Sequence, residues 1–247
     1  MGGDFEGQYG IVTGAGRGLG AATARMMAER GATVLLVDID ADSVEATASG
    51  LRSEGLRTHA IAMDLADESQ YPALHEAISS RFGGRLDVLV NNAGGWRYST
   101  AREITIDEWE WMFRTNVTSM FLATRAVMDI MVGQRSGRIV NVASGAAHRP
   151  RAIMPHYGAA KASVVSLTKS FAEELAPSQI LVNAVSPGPI ATETLRARGN
   201  LIEERAKSIP LGRVAEPEDL AEVILFLAST RNRYIVGQTI IANGVCS

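Results

Sequence analysis

The stretch Tyr9-Gly-Ile-Val-Thr13-Gly-Ala-Gly-Arg-Gly-Leu-Gly20-Ala-Ala-Thr-Ala-Arg-Met-Met-Ala-Glu-Arg30 decides the fold. Tyr9 to Thr13 is a short apolar run of the kind that forms a buried strand, the glycine cluster is a turn, and Ala21 to Arg30 has helical spacing that Gly31 stops. A turn placed there puts backbone N–H groups and the positive end of a helix at the mouth of a strand, where they hold a pyrophosphate. Gly14, Gly18 and Gly20 are the positions where a Cβ would collide with the turn, the phosphate or the strand. The spacing is not the widespread G-x-G-x-x-G, because position 19 is Leu19.

Working outward, Thr33 to Val37 is a second buried run, followed by a helix near Asp42 to Glu54 and a strand at Thr58 to Met63. The same alternation continues through helix 67–82, strand 87–91, a long helix 107–132, strand 138–143, helix 156–176, strand 180–185, helix 217–229 and strand 237–242. Such alternation predicts an α/β fold, a parallel sheet with right-handed crossovers and helices on both faces. No linker divides the 247 residues, so one domain over 1–247 is expected. The irregular stretch 186–210, opening on Pro187-Gly188-Pro189, is read as a partly helical loop over a site.

Composition narrows the function. A net charge of -3 offers no basic field for nucleic acid. The single cysteine, Cys246, excludes an intrachain disulfide and a multi-thiolate metal site, and fits a reducing, cytoplasmic setting; no metal is expected. The N-terminus has no basic region followed by an apolar stretch, and no run approaches the ~20 residues that span a bilayer, so the chain reads as soluble and unprocessed. Gly2 is not a myristoylation signal, because Glu6 stands where Ser or Thr is needed.

Asp38 ends the second strand, at the distance from the glycine turn where a carboxylate accepts from the adenosine ribose hydroxyls and repels a 2′-phosphate. This favours NAD over NADP, with Arg17 in the turn as a counterweight. Asp64 and Leu65 follow the third strand, where Asp64 would accept from the adenine amino group; Asn91-Asn92-Ala93-Gly94 closes the fourth. Further on, Ser144 follows the strand 138–143, and Tyr157-Gly-Ala-Ala-Lys161 sets a phenol and an ammonium one turn apart on one helix face. A nearby cation favours phenolate, which makes such a tyrosine usable as an acid or base.

Taken together, Thr13-Gly-x-x-x-Gly-x-Gly20, Asp38, Asp64, Asn91-Asn-Ala-Gly94, Asn116, Ser144, Tyr157-x-x-x-Lys161, Asn183, Pro187-Gly188 and Thr192 resemble the short-chain dehydrogenase/reductase family over nearly the whole chain. The resemblance implies a Rossmann-type, doubly wound sheet of seven strands ordered 3-2-1-4-5-6-7 and a catalytic tetrad of Asn116, Ser144, Tyr157 and Lys161. In this reading Tyr157 takes the alcohol proton as hydride moves to nicotinamide, or gives it in reverse, and Ser144 holds the substrate oxygen. Lys161 binds the nicotinamide ribose and lowers the tyrosine pKa, while Asn116 positions a relay water. Ile190, through its backbone, and Thr192 meet the carboxamide. The resemblance also implies a homotetramer built on helices 107–132 and 156–176, with the last strand in a second interface. That strand departs from the family by ending Asn243-Gly244-Val245 where Asp-Gly-Gly is usual.

Substrate-facing positions are expected at Trp96, Arg97, Ser144, His148, Arg149, Arg151 and Met154, with His156, Arg196 and Arg198 in the same segments. Their cations suit an anionic group on a small alcohol or ketone, but loop arginines are more often solvated or at subunit contacts, and a neutral, pocket-filling substrate is the leading reading. The expected activity is therefore NAD-dependent oxidoreduction of a secondary alcohol. The alternatives are an NADP-dependent reductase of ketones or 3-oxoacyl thioesters, and, more remotely, a non-catalytic NAD-sensing protein.

Overall fold

The computed structural model describes residues 3–149, 151–197 and 199–244, so Gly2, Arg198 and Cys246 lie outside the described residues. The elements run β1 (Tyr9–Thr13), α1 (Gly18–Glu29), β2 (Thr33–Asp38), α2 (Ala41–Ser53), β3 (Thr58–Ala62), α3 (Tyr71–Phe82), β4 (Val88–Asn91), α4 (Ile106–Phe113) and α5 (Ser119–Gln134). They continue as β5 (Gly137–Val142), α6 (Pro155–Leu175), β6 (Ile180–Pro187), α7 (Glu193–Arg196), α8 (Leu201–Ala206), α9 (Pro217–Ala228) and β7 (Thr239–Ala242).

All seven strands form one parallel sheet in the order β3-β2-β1-β4-β5-β6-β7, as expected. Strand period decides which helices each residue meets. On β2, Leu35 and Val37 face one core with Leu74 of α3, Val127 of α5 and Phe171 of α6, whereas Val34 and Leu36 face the other with Met27 of α1, Leu51 of α2 and Ile224 of α9. Sequence order reverses between β1 and β4, and their carboxyl ends diverge into a crevice, the place where open α/β sheets bind ligands.

Three expectations are corrected. Helix α1 begins at Gly18, three residues before the apolar spacing indicates, on a glycine whose positive φ of 57° leads the turn into the helix. The last strand is only Thr239–Ala242, because Gly237, with a positive φ of 69°, turns the chain before it. The single long helix 107–132 is interrupted. A π-turn at Arg114–Thr118 separates α4 from α5, and it contains Asn116. Apolar spacing continues through the turn, so periodicity does not betray it; such widened turns gather at functional sites.

The stretch 186–210 is the continuation of β6, then α7 and α8, with a small core of its own from Ala191, Leu195, Ile209 and Val214.

At the crevice, the Thr13 hydroxyl accepts from the N–H groups of Asn92 and Ala93, both at 3.0 Å, and the Asn92 amide donates to the carbonyls of Thr13 and Gly14, also at 3.0 Å. This fastens the glycine turn to the end of β4. A Cβ on Gly20 would stand 2.1 Å from the Gly14 carbonyl oxygen and 2.6 Å from the Asn92 amide nitrogen. Gly20→Ala is expected to cost about 1–3 kcal/mol, read as a fall of several degrees in Tm. Gly50→Ala on α2, where an added Cβ meets nothing within 4 Å, should instead gain about 0.5–1 kcal/mol. Equal melting of the two variants would contradict the packing argument.

Candidate active site

A cavity of about 1420 Å³ opens along the carboxyl ends of the strands. It runs from Gly14 and Asp38, past Gly94, to Trp96 and His148. All the residues given above as catalytic, cofactor-facing or substrate-facing line it except Gly20 and Arg97. Gly20 is spent on the close approach just described. Arg97 lies over the ring of Trp111, 4.0 Å from its centroid, rather than in the cavity wall. Of the other residues in the substrate segments, Arg196 bonds to the Ala191 carbonyl and Glu216. His156 is buried with neither ring nitrogen hydrogen-bonded, and burial holds its pKa below the usual histidine range.

The dinucleotide end fits its expected guest. Helix α1 has no side-chain cap and no acidic residue in its first turn, so its leading N–H groups have no competing anion from their own helix. Gly14 and Gly18 adopt positive φ of 61° and 57°, and a Cβ on Gly18 would press on Thr192 at 3.2 Å. Asp38 accepts from Gly16 N–H at 2.9 Å and from Asp40 N–H at 3.1 Å, which fixes its carboxylate at the cavity rim while leaving each oxygen a second lone pair. Arg17 leans to Asp40, 3.8 Å away. Asp64 is more committed: one oxygen pairs with Arg114 at 2.7 Å and the other accepts from Ala66 N–H at 2.8 Å.

At the chemical end, Ser144, Tyr157 and Lys161 come together at the carboxyl end of β5 and the start of α6. Ser144 follows β5 and bonds to Tyr157. Lys161 is buried, donates to the Val142 carbonyl at 2.9 Å, and stands 5.9 Å from the Tyr157 ring centroid. Burial lowers the lysine to about 8. For Tyr157 the direction is upward: burial outweighs the lowering by the Ser144 hydrogen bond. The contact that lowers the phenol here is the Ser144 hydrogen bond, beside the lysine expected to favour phenolate.

Asn116 reaches the same point from the π-turn. Its amide donates to Gly95 O at 2.8 Å and Met112 O at 3.0 Å, and its oxygen accepts from Gly95 N–H at 3.3 Å. Gly94 makes the gathering possible. A Cβ there would stand 2.7 Å from the Asn116 side-chain oxygen and 3.3 Å from the lysine nitrogen. His148 closes this end with a 2.9 Å bond to the Ser186 hydroxyl.

The model of the short chain dehydrogenase family matches residues 8–201. The chain belongs to this family. It is 36% identical over 242 residues to the 3-oxoacyl-acyl-carrier-protein reductase FabG of Aquifex aeolicus, with 97% of both chains covered. Among solved structures it is similar to a 3-oxoacyl-acyl-carrier-protein reductase with bound NAD from Brucella melitensis, at TM-score 0.88 and 36% identity over 98% of this chain and 92% of that one. It is also similar to the L-sorbose reductase of Gluconobacter frateurii complexed with NADPH and L-sorbose, at TM-score 0.93 and 29% identity over 99% and 98% of the two chains. The short-chain dehydrogenase fold and its seven-strand order are thus both present, and the protein is an oxidoreductase of the nicotinamide-dependent class. No helix among the described residues is long and apolar enough to cross a membrane, and no cluster of metal-ligating side chains occurs among them.

Several wall residues escaped the sequence reading: Tyr98, Trp111, Arg114 and Arg205. Tyr98 alternates with Trp96, and period-two spacing would have suggested it. Trp111 and Arg114 depend on the π-turn and Arg205 on the fold of the 186–210 segment, neither of which leaves a local signal.

Removing the Ser144 hydroxyl leaves burial of the phenol unopposed, so deprotonation of Tyr157 should need a higher pH. Alcohol oxidation uses the deprotonated phenol and ketone reduction the protonated one. In Ser144→Ala the rising limb of kcat/KM for oxidation, and the falling limb for reduction, are both expected to move to more alkaline pH. Limbs that stay in place would remove Ser144 from the titration.

Proposed function

We propose that this enzyme interconverts a secondary alcohol and its ketone, with Tyr157 moving the proton and NAD as the preferred cofactor. The observation that supports this most is that Asn116 and Lys161 meet at Gly94 while Ser144 lies beside Tyr157, all four lining the cavity that also takes in the ribose carboxylate Asp38. Nicotinamide, when bound, supplies the hydride acceptor or donor. Tyr157 takes the hydroxyl proton of the alcohol as the carbon gives up hydride, or returns a proton to the carbonyl oxygen in reduction. Ser144 holds that oxygen beside the phenol, and a donor aimed at the place where negative charge grows lowers the barrier. Lys161, anchored by the Val142 carbonyl, is placed for the nicotinamide ribose. Asn116, bound on both sides to Gly95, steadies the turn beneath and is placed to hold a relay water. Pro187, Gly188, Ile190 and Thr192 form the wall where the carboxamide would rest.

Asp38 is the argument for NAD, since a 2′-phosphate would enter a carboxylate's field there. The relatives weigh toward a second reading, reduction of a 3-oxoacyl thioester. The names of the curated relatives favour it, and the Brucella reductase with bound NAD shows that such a name and this cofactor occur together. Homotetramer remains the assembly we infer, with the exposed Trp109 and Phe121 on the α4–α5 side as the surface to be covered.

Binding titrations should give tighter NAD than NADP, with the preference shrinking in Asp38→Ser. Steady-state rates with a panel of secondary alcohols, and with a 3-oxoacyl thioester run in reverse, should sort the substrate class. Tyr157→Phe should lose about 10²–10⁴-fold in turnover while still binding NAD. Equal turnover by the variant would defeat the acid/base assignment, and a stronger response to NADPH with the thioester would select the second reading.

A further inference from the structure

Arg205 projects from α8, in the segment that covers the cavity. One of its terminal nitrogens donates to the Tyr98 hydroxyl at 2.9 Å, while its Nε is buried without a hydrogen-bond partner. Arg205 lines the cavity, and a carboxylate is the group whose geometry matches a guanidinium fork. Tyr98 lies in the loop after β4, and the next residue, Ser99, bonds through its N–H to the Ile153 carbonyl at 3.0 Å. That contact ties the loop to the segment bearing Arg149 and Arg151, which line the same cavity.

Among the described residues, none of Arg149, Arg151 and Arg205 takes part in an ion pair, in contrast to Arg17, Arg114, Arg196 and Arg213. The carboxylates of the cavity wall are Asp38, Asp64 and Glu193. The first two belong to the adenosine end, and Glu193 follows Thr192, which abuts Gly18 of the phosphate turn. The substrate mouth therefore carries three cationic side chains with no wall carboxylate beside them. Trp96 and Tyr98, their ring centroids 4.9 Å apart, and Trp111 supply flat apolar walls next to those charges.

We propose that Arg205 is a specificity-determining residue that binds a carboxylate on a ring-bearing substrate, with Arg149 and Arg151 adding to the field. Docking on the guanidinium where Arg205 lines the cavity would pair its charge and, through the bond to Tyr98, hold α8 against the loop after β4. The inference rests on the hydride-transfer reading only in taking this end of the cavity as the substrate pocket.

The test uses benzoate and benzamide, a charged and a neutral ring of nearly the same shape, neither of which can be oxidised at this site. Calorimetric titration of the NAD-saturated enzyme is expected to show benzoate binding about tenfold or more tighter than benzamide. Arg205→Met should bring the ratio to near one, and Arg205→Lys should keep part of it. Tyr98→Phe, which leaves the guanidinium in place, should keep the preference. NAD affinity of each variant reports that the fold is intact. Equal binding of the two rings by the wild type, no binding of benzoate, or a preference that survives Arg205→Met would overturn the assignment. Turnover of neutral alcohols judges the hydride-transfer reading separately, so failure of one is not failure of the other.

Discussion

The contact between the end of β1 and the end of β4 governs the rest of the molecule. Thr13 is a hydroxyl serving two backbone donors just past β4, and Asn92 is an amide serving two carbonyls of β1 and its turn. At this point the two strands lead in opposite directions through the sheet, and a parallel sheet otherwise offers little to fix how its strand ends sit. With the turn clamped, α1 is held in line with the crevice; Gly20 is forced to be glycine by backbone contact, and Gly14 both by backbone contact and by its positive φ. Asn92, expected to touch cofactor, thus also has a supporting task one layer behind it.

A second polar element lies deeper. Asn91 donates to Thr124 and to Asn141, and Asn141 donates to Thr168, each at 2.9 Å, so β4, β5, α5 and α6 are linked by buried amides and hydroxyls. Tyr157 and Lys161 lie on α6, Ser144 just after β5, and Asn116 in the π-turn that leads into α5. The donors of this network all find acceptors, whereas the Asn91 side-chain oxygen is buried without a partner.

The fold was legible because β1, β2 and β4 are short apolar runs and each is followed by a turn and a helix, a pattern that leaves few alternatives. The tetrad and the dinucleotide cradle were legible because their chemistry ties residue type to strand end: glycine where backbone must approach, carboxylate where hydroxyls arrive, tyrosine and lysine on one helix face. What stayed hidden depends on long-range geometry. The π-turn around Asn116 is stabilised by Gly95, more than 20 positions earlier. Arg97 and Arg205 look alike in sequence, but the first lies over the ring of Trp111 while α8 carries the second into the cavity wall. The pKa of Tyr157 likewise reflects burial that no local spacing encodes.

The segment with α7 and α8 has its own apolar cluster and meets the body of the protein through the Ile190–Ala215 bridge and neighbouring bonds. Its hydrophobic cohesion is thus separate from the two cores that hold the sheet. A part built this way is a cassette. It can be lengthened, shortened or replaced without disturbing the strands beneath, so one reaction centre can be offered to different molecules by exchanging its cover. Divergence within such a scaffold would then fall first on the residues that admit a molecule and last on those that transform it.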